Sequence, residues 1–111
     1  MSKYELYLND ILRAINLIDE STTGVSYESF KTNQTLIDAT AMRLQIIGES
    51  LKKIPKKFKK NKEINWRDLQ NLRNIISHAY FRINSSIIFS VVKDEIPKLK
   101  SEIQKIKENL S

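Results

Sequence analysis

Residues 33–54, NQTLIDATAMRLQIIGESLKKI, decide the fold. Leu36, Thr40, Leu44, Ile47, Leu51 and Ile54 recur every three or four residues, and Ala39, Met42 and Ile46 widen the stripe. That is the pattern of a long helix with one face turned to a core. Pro55 ends it, because the residue before a proline is pushed out of the helical region. Gly48 costs about 1 kcal/mol against alanine inside a helix, so it either admits another backbone closely or is a neutral small residue.

The flanking sequence repeats the helical period. From Lys3 to Glu20, Tyr4, Tyr7, Ile11, Ala14, Ile15 and Ile18 form an apolar stripe that stops at the polar cluster Ser21-Thr22-Thr23-Gly24. Ser26 caps a short turn carrying Tyr27 and Phe30. Asn65, with Asp68 three residues on, opens a helix through Trp66, Leu69, Leu72 and Ile76 to about Tyr80. Beyond Asn84-Ser85, the residues Val92, Ile96, Leu99, Ile103, Ile106 and Leu110 alternate spacings of four and three, and Pro97 bends or restarts the stretch. A seam this short reads as one face of a bundle, so the expectation is an all-α bundle of antiparallel helical hairpins.

Composition supports that reading. The 111 residues, 41% of them hydrophobic, make one expected domain, 1–111, and Gly 2 with Pro 2 leaves too few turn formers for a sandwich or barrel. Cys 0 removes thiol nucleophiles and cysteine metal sites, and one histidine cannot build a metal centre alone, so no metal and no cofactor are expected. The opening MSKYELYLND lacks the apolar run of a secretory signal, and the longest strongly apolar stretch, 87–92, is far short of the roughly 20 residues of a membrane helix. A cytoplasmic protein without a membrane partner is expected. The net charge of +6 is local: residues 52–62 hold Lys52, Lys53, Lys56, Lys57, Lys59, Lys60 and Lys62 and no acid. Such a patch either gathers a polyanion such as RNA, with Phe58 stacking on a base, or is a solvated loop.

The helix after the patch carries the chemistry. Its end reads Arg73-Asn74-Ile75-Ile76-Ser77-His78-Ala79-Tyr80. RNA is cut without metal when a base takes the 2′-OH proton, an acid protonates the leaving 5′-oxygen and a cation steadies the phosphorus transition state. Histidine titrates in the right range and arginine grips phosphate oxygens in a fork, so His78 and Arg73 suit these roles. On a regular helix the two stand roughly 140° apart, so a shared cleft needs a distortion near Ser77 or a two-fold axis joining two copies. Asn74, at i and i+4 with His78, is placed to orient the imidazole. On spacing alone, a histidine near a helix end also serves simply to meet the C-terminal dipole.

The octapeptide resembles the R-x4-H-x-Y signature of HepT-like proteins within the HEPN-domain family. The stretch Arg43-Leu44-Gln45-Ile46-Ile47-Gly48-Glu49 resembles that family's R-x-L-x-I-I-G-E-A segment, with Ser50 in place of the usual alanine, and Trp66 stands seven residues before the motif arginine. The resemblance implies a HEPN-type bundle of four to five helices, homodimeric, with a composite cleft. It implies a metal-independent endoribonuclease toxin with Arg73 and His78 catalytic, Asn74 and Ser77 supporting, and Glu49 a partner for Arg73. It further implies a cognate minimal nucleotidyltransferase antitoxin that adenylylates Tyr80 and so blocks the cleft with bulk and negative charge. The alternative is a non-catalytic helical module that pairs with such a nucleotidyltransferase.

Overall fold

The computed structural model describes residues 2–82 and 84–110. Helix α1 (Lys3–Thr22) starts where the Ser2 side chain accepts the Glu5 N–H. The short α2 (Tyr27–Lys31) is capped by Ser26, and α3 (Gln34–Lys52) by Asn33, whose Oδ1 accepts the Leu36 N–H at 3.0 Å. A 3₁₀ turn (Lys56–Phe58) follows, then α4 (Trp66–Gln70), α5 (Leu72–Phe81) and α6 (Ser85–Ser90). A π-helical turn (Val91–Glu95) leads without interruption into α7 (Ile96–Leu110). The fold is the all-α, HEPN-type bundle that the sequence implies, with α1, α3, the α4–α5 pair and the α6–α7 rod as its long members. Leu8, Ile11, Ile15 and Ile18 of α1 meet Leu44, Ile47 and Leu51 of α3, Ile76 of α5, and Ile96, Leu99 and Ile103 of α7 in the core. No described helix is long and apolar enough to cross a membrane.

Three details sharpen or correct the periodicity reading. The helix expected from Asn65 to Tyr80 breaks at Asn71, whose backbone sits at φ −98°, ψ 15° and whose N–H is shared between the Arg67 and Asp68 carbonyls. The break falls where the chain crosses α3. A Cβ on Gly48 would lie 3.0 Å from the Leu69 carbonyl oxygen and 3.1 Å from Leu72 Cβ, so of the two readings of this glycine the close approach holds. Second, Met42 and Ile46 do not widen the buried stripe of α3: they are 62% and 42% exposed, and Ile37, Ala41 and Gly48 are buried instead. At about 100° per residue each stands roughly 160° from the buried Leu44, so they lie on the outer face. Third, Pro97 stands in the first turn of α7, which restarts at Ile96 after the π-turn rather than continuing one uniform α-helix. The preceding turn is widened, with the Ile96 N–H reaching back to the Val91 carbonyl, and this makes room for a ring that an α-helix would crowd.

The Gly48 crossing generates a stability prediction. Alanine gains about 1 kcal/mol of helix propensity, but overpacking against backbone costs about 1–3 kcal/mol. Gly48→Ala is therefore expected to lower the urea midpoint, with a net loss near 1 kcal/mol. A Gly48→Ala protein more stable than the parent would show that the two helices do not touch as described.

Candidate functional site

Helix α5 divides its residues sharply between core and solvent. Leu72, Ile76 and Ala79 are buried, Ser77 is half-buried, and Arg73, Asn74, His78, Tyr80 and Phe81 are exposed. Every polar residue of the octapeptide thus lies on the outward half of the helix. The antiparallel pairing of α3 with α5, fixed where Gly48 meets Leu72, sets what stands opposite each of them. Arg73 faces Glu49, Gln45 and Ser77 share one groove, and Tyr80 faces Asp38. That groove, of about 270 Å³, runs between the two helices and is walled by Ala41, Met42 and Phe81 as well.

At one end of the groove are the charges. Arg73 Nη1 lies 3.9 Å from Glu49 Oε1, and Lys52 Nζ lies 3.5 Å from the same oxygen. Both cations are well exposed, and an ion pair of this kind is worth at most about 1 kcal/mol. The guanidinium is held in place weakly enough to exchange the carboxylate for a phosphate.

His78 stands further round the helix. Its carbonyl accepts the Arg82 N–H at 3.1 Å, and among the described residues none hydrogen-bonds its imidazole. Asn74 does not orient that ring: its side-chain amide donates to Asn71 Oδ1 at 2.8 Å, across the break, where a nearer acceptor is available. Helix α5 is regular from Leu72 to Phe81, so no distortion at Ser77 draws Arg73 and His78 together. The irregularity lies at Asn71, N-terminal to both, and leaves their separation around the helix unchanged. Within one chain the two side chains share the outward half of α5 but not a single line along it.

Two neighbours of Tyr80 escape sequence reasoning. Tyr80 and Asp38 line the same groove, and hydrogen bonding to Asp38 and its negative charge raise the phenol above its ordinary pKa, with partial burial adding to the effect and Gln34 partly offsetting it. Gln34 Nε2 in turn donates to Asp38 Oδ1 at 2.8 Å. Asp38 stands ten residues before Gly48 and Tyr80 eight after Leu72, so antiparallel packing through that contact brings both to the same end of the groove; the signal is the register. Phe81, 83% exposed, and Met42 border the same groove as bare apolar surface.

The lysine run is not uniform. Lys52, Lys53, Lys56, Lys57, Lys60 and Lys62 are exposed. Lys59 is turned inward, donating to the Leu51 carbonyl at 3.0 Å and to Gln70 Oε1, and burial lowers its pKa, with Lys56 adding to the effect. It pins the loop to the bundle, and so is not available to a polyanion as its neighbours are. Phe58 packs edge-on against Tyr4, ring centres 6.0 Å apart, beneath the Lys57 ammonium.

A helical bundle with arginine, histidine and tyrosine raised on the outward side of one helix has the organisation of a HEPN protein. Comparison with known proteins makes the class specific. The family described as "Ribonuclease HepT-like" matches residues 11–106. A Thermococcus cleftensis protein named "Probable ribonuclease HepT" is 38% identical over 102 residues, 91% of this chain and 93% of the relative. A Methanocaldococcus jannaschii protein, whose name joins a gamma-glutamylcyclotransferase to a candidate RNase, is 41% identical over 107 residues. That alignment takes in 96% of this chain but only 48% of the relative, so the chain spans about half of that protein's length. A candidate RNase of Caldanaerobacter subterraneus is 34% identical over 101 residues, 90% of each chain. No solved structure matches significantly. The chain belongs to the HepT-like ribonuclease family, and the enzyme class expected from the octapeptide is the class of that family.

The Asp38–Tyr80 contact is testable by titration. Asp38→Asn removes the charge that disfavours the phenolate, so the Tyr80 pKa is expected to fall toward the ordinary tyrosine value. Tyrosinate absorbance against pH, with a Tyr80→Phe protein subtracted to isolate this residue, reads the shift. An unchanged or higher pKa in Asp38→Asn would mean that the carboxylate does not face the hydroxyl.

Proposed function

We propose that this chain is a metal-independent endoribonuclease toxin acting as a homodimer in the cytoplasm, silenced when a minimal nucleotidyltransferase antitoxin adenylylates Tyr80. The observation that carries this reading is the outward ridge of α5, on which Arg73, Ser77, His78 and Tyr80 are all accessible while the apolar side of the same helix is buried.

In the reaction, a base takes the proton from a ribose 2′-OH and the oxygen attacks the adjacent phosphorus. The bond to the 5′-oxygen breaks as an acid protonates that oxygen, leaving a 2′,3′-cyclic phosphate. One His78 cannot hold both posts at once. Two copies supply two imidazoles, one as base and one as acid, and Arg73 steadies the charge that builds on the phosphoryl oxygens. The bare apolar residues Met42 and Phe81 beside the ridge, and Ile46 further round α3, supply the kind of surface a second copy would cover. Ser77 and Glu49 act in support, Glu49 by holding Arg73 toward the groove in the absence of RNA. The exposed lysines Lys52, Lys53, Lys56, Lys57, Lys60 and Lys62 draw the RNA backbone to this side of the protein.

Silencing follows from the position of Tyr80. Its hydroxyl oxygen attacks the α-phosphorus of ATP, pyrophosphate leaves and the phenolic proton is released. The added phosphodiester then sets negative charge and an adenosine in the groove that Arg73 serves.

Cleavage of RNA in EDTA by purified, unmodified protein is the direct test. Arg73→Ala and His78→Ala are each expected to lower the rate by about 10²–10⁴-fold without unfolding the helix. Sedimentation is expected to give a dimer, and ATP with the antitoxin is expected to add mass to the wild type but not to Tyr80→Phe. Cleavage that survives both substitutions would reject the site. An inert, unmodified wild type whose Tyr80 still accepts adenylate would establish the non-catalytic module instead.

A further inference from the structure

Beside the charged end of the groove lies a second concavity that the octapeptide does not use. The N-terminal part of α1 and the end of α3 border a shallow, open hollow of about 310 Å³, lined by Lys3, Tyr4, Tyr7, Lys52, Lys53 and the apolar floor of Ile54 and Pro55. Three of its side chains are cations and none is an acid. The Lys3 ammonium stands 5.7 Å from the Tyr4 ring centre and the Lys53 ammonium 5.2 Å from that of Tyr7. Both tyrosines are half-buried, with the rings anchored and one part of each left to solvent.

Lys52 joins this hollow to the groove. Its ammonium and the Arg73 guanidinium share the single oxygen Glu49 Oε1, so they are no farther apart than those two contacts laid end to end. Cations therefore run from Arg73 through Lys52 to Lys53 and Lys3, with Glu49 between the first two. A single-stranded nucleic acid offers phosphates at regular short intervals and a flat base on each sugar. Aromatic platforms flanked by ammonium groups are the chemistry that receives it.

We infer that the Lys3–Tyr4–Tyr7–Lys53 hollow is a strand-binding subsite, holding one nucleotide of single-stranded RNA a short distance along the chain from the phosphodiester at Arg73. A base stacked on an aromatic ring is worth more than an exposed ammonium over the same ring. The arriving base therefore displaces Lys3 or Lys53 from its tyrosine, and the freed ammonium takes a phosphate. Lys52 gives up Glu49 for the intervening phosphate in the same way. The subsite rests on the ribonuclease reading for its purpose, but its binding is separable from cutting.

The experiment uses the full chain in two backgrounds. In His78→Ala protein, which is expected to bind RNA without cutting it, anisotropy of a fluorescent eight-nucleotide RNA measures affinity as a function of salt. Lys3→Gln with Lys53→Gln is expected to weaken binding about 10–50-fold, and to lower the salt slope by about 0.7 for each phosphate that is no longer neutralised. Tyr4→Leu is expected to weaken binding about 5–20-fold while Tyr4→Phe, which keeps the ring, binds as the parent does. Lys98→Gln with Lys105→Gln, the same loss of two charges on α7, is the control and is expected to change binding little. In the otherwise wild-type background, Lys3→Gln and Tyr4→Leu are expected to raise KM for the octanucleotide with kcat retained, and to leave cleavage of a dinucleotide, too short to reach the hollow, unaltered. Equal binding by parent and pocket variants would overturn the subsite. So would equal losses on octanucleotide and dinucleotide, since those residues would then be acting on the cutting site itself. If the wild type cuts nothing but binding still depends on Lys3, Lys53 and Tyr4, the ribonuclease reading falls and the subsite stands; cutting that persists with pocket-independent binding gives the reverse.

Discussion

The missing side chain of Gly48 is the constraint on which the site depends. Because nothing projects from α3 at that point, the Leu69 carbonyl and Leu72 come into direct contact with its backbone. That contact fixes the register of α5 against α3. It brings Glu49 to Arg73 at one end of the groove and Asp38 to Tyr80 at the other. The break at Asn71 belongs to the same event, since it lies between the two leucines that meet the glycine.

Around that crossing the bundle separates stability from chemistry. Fully buried isoleucines and leucines on α1, α3, α5 and α7 hold the fold, and none of the polar octapeptide residues is needed in the core. The polar residues of α5 instead make weak, exchangeable interactions with one another and with α3. Such interactions suit a surface that must give up its internal partners to an incoming polyanion, because breaking each of them costs little. Lys59 shows the contrast: held by a carbonyl and an amide, it keeps the lysine loop attached while its neighbours remain in water.

Much of this is legible in the sequence, and the limits have physical causes. The caps Ser26 and Asn65 and the stripes of α1 and α7 follow from short-range rules of hydrogen bonding and period, so they can be read directly. The octapeptide identifies Arg73, His78 and Tyr80 as residues of interest because their chemistry is local to one helix. Asp38 and Gln34 are not legible, since their significance lies in a tertiary register that no local pattern states. Met42 and Ile46 mislead for the opposite reason: apolar side chains near a stripe read as part of it, although their angle from Leu44 already places them outside. The inward turn of Lys59 depends on the path of a loop, which composition cannot give.

The widened turn at Val91–Glu95 has a consequence for how this chain can change length. A π-turn is an α-helix carrying one surplus residue, and here Ile88, Val92, Ile96 and Leu99 all still reach the core across it. Without the surplus, the residue four before Pro97 would present its carbonyl to the pyrrolidine ring. The extra residue and the proline are thus a matched pair. A chain that shed one would have to shed the other, or the rod that closes the bundle would either lose its phase or crowd the ring.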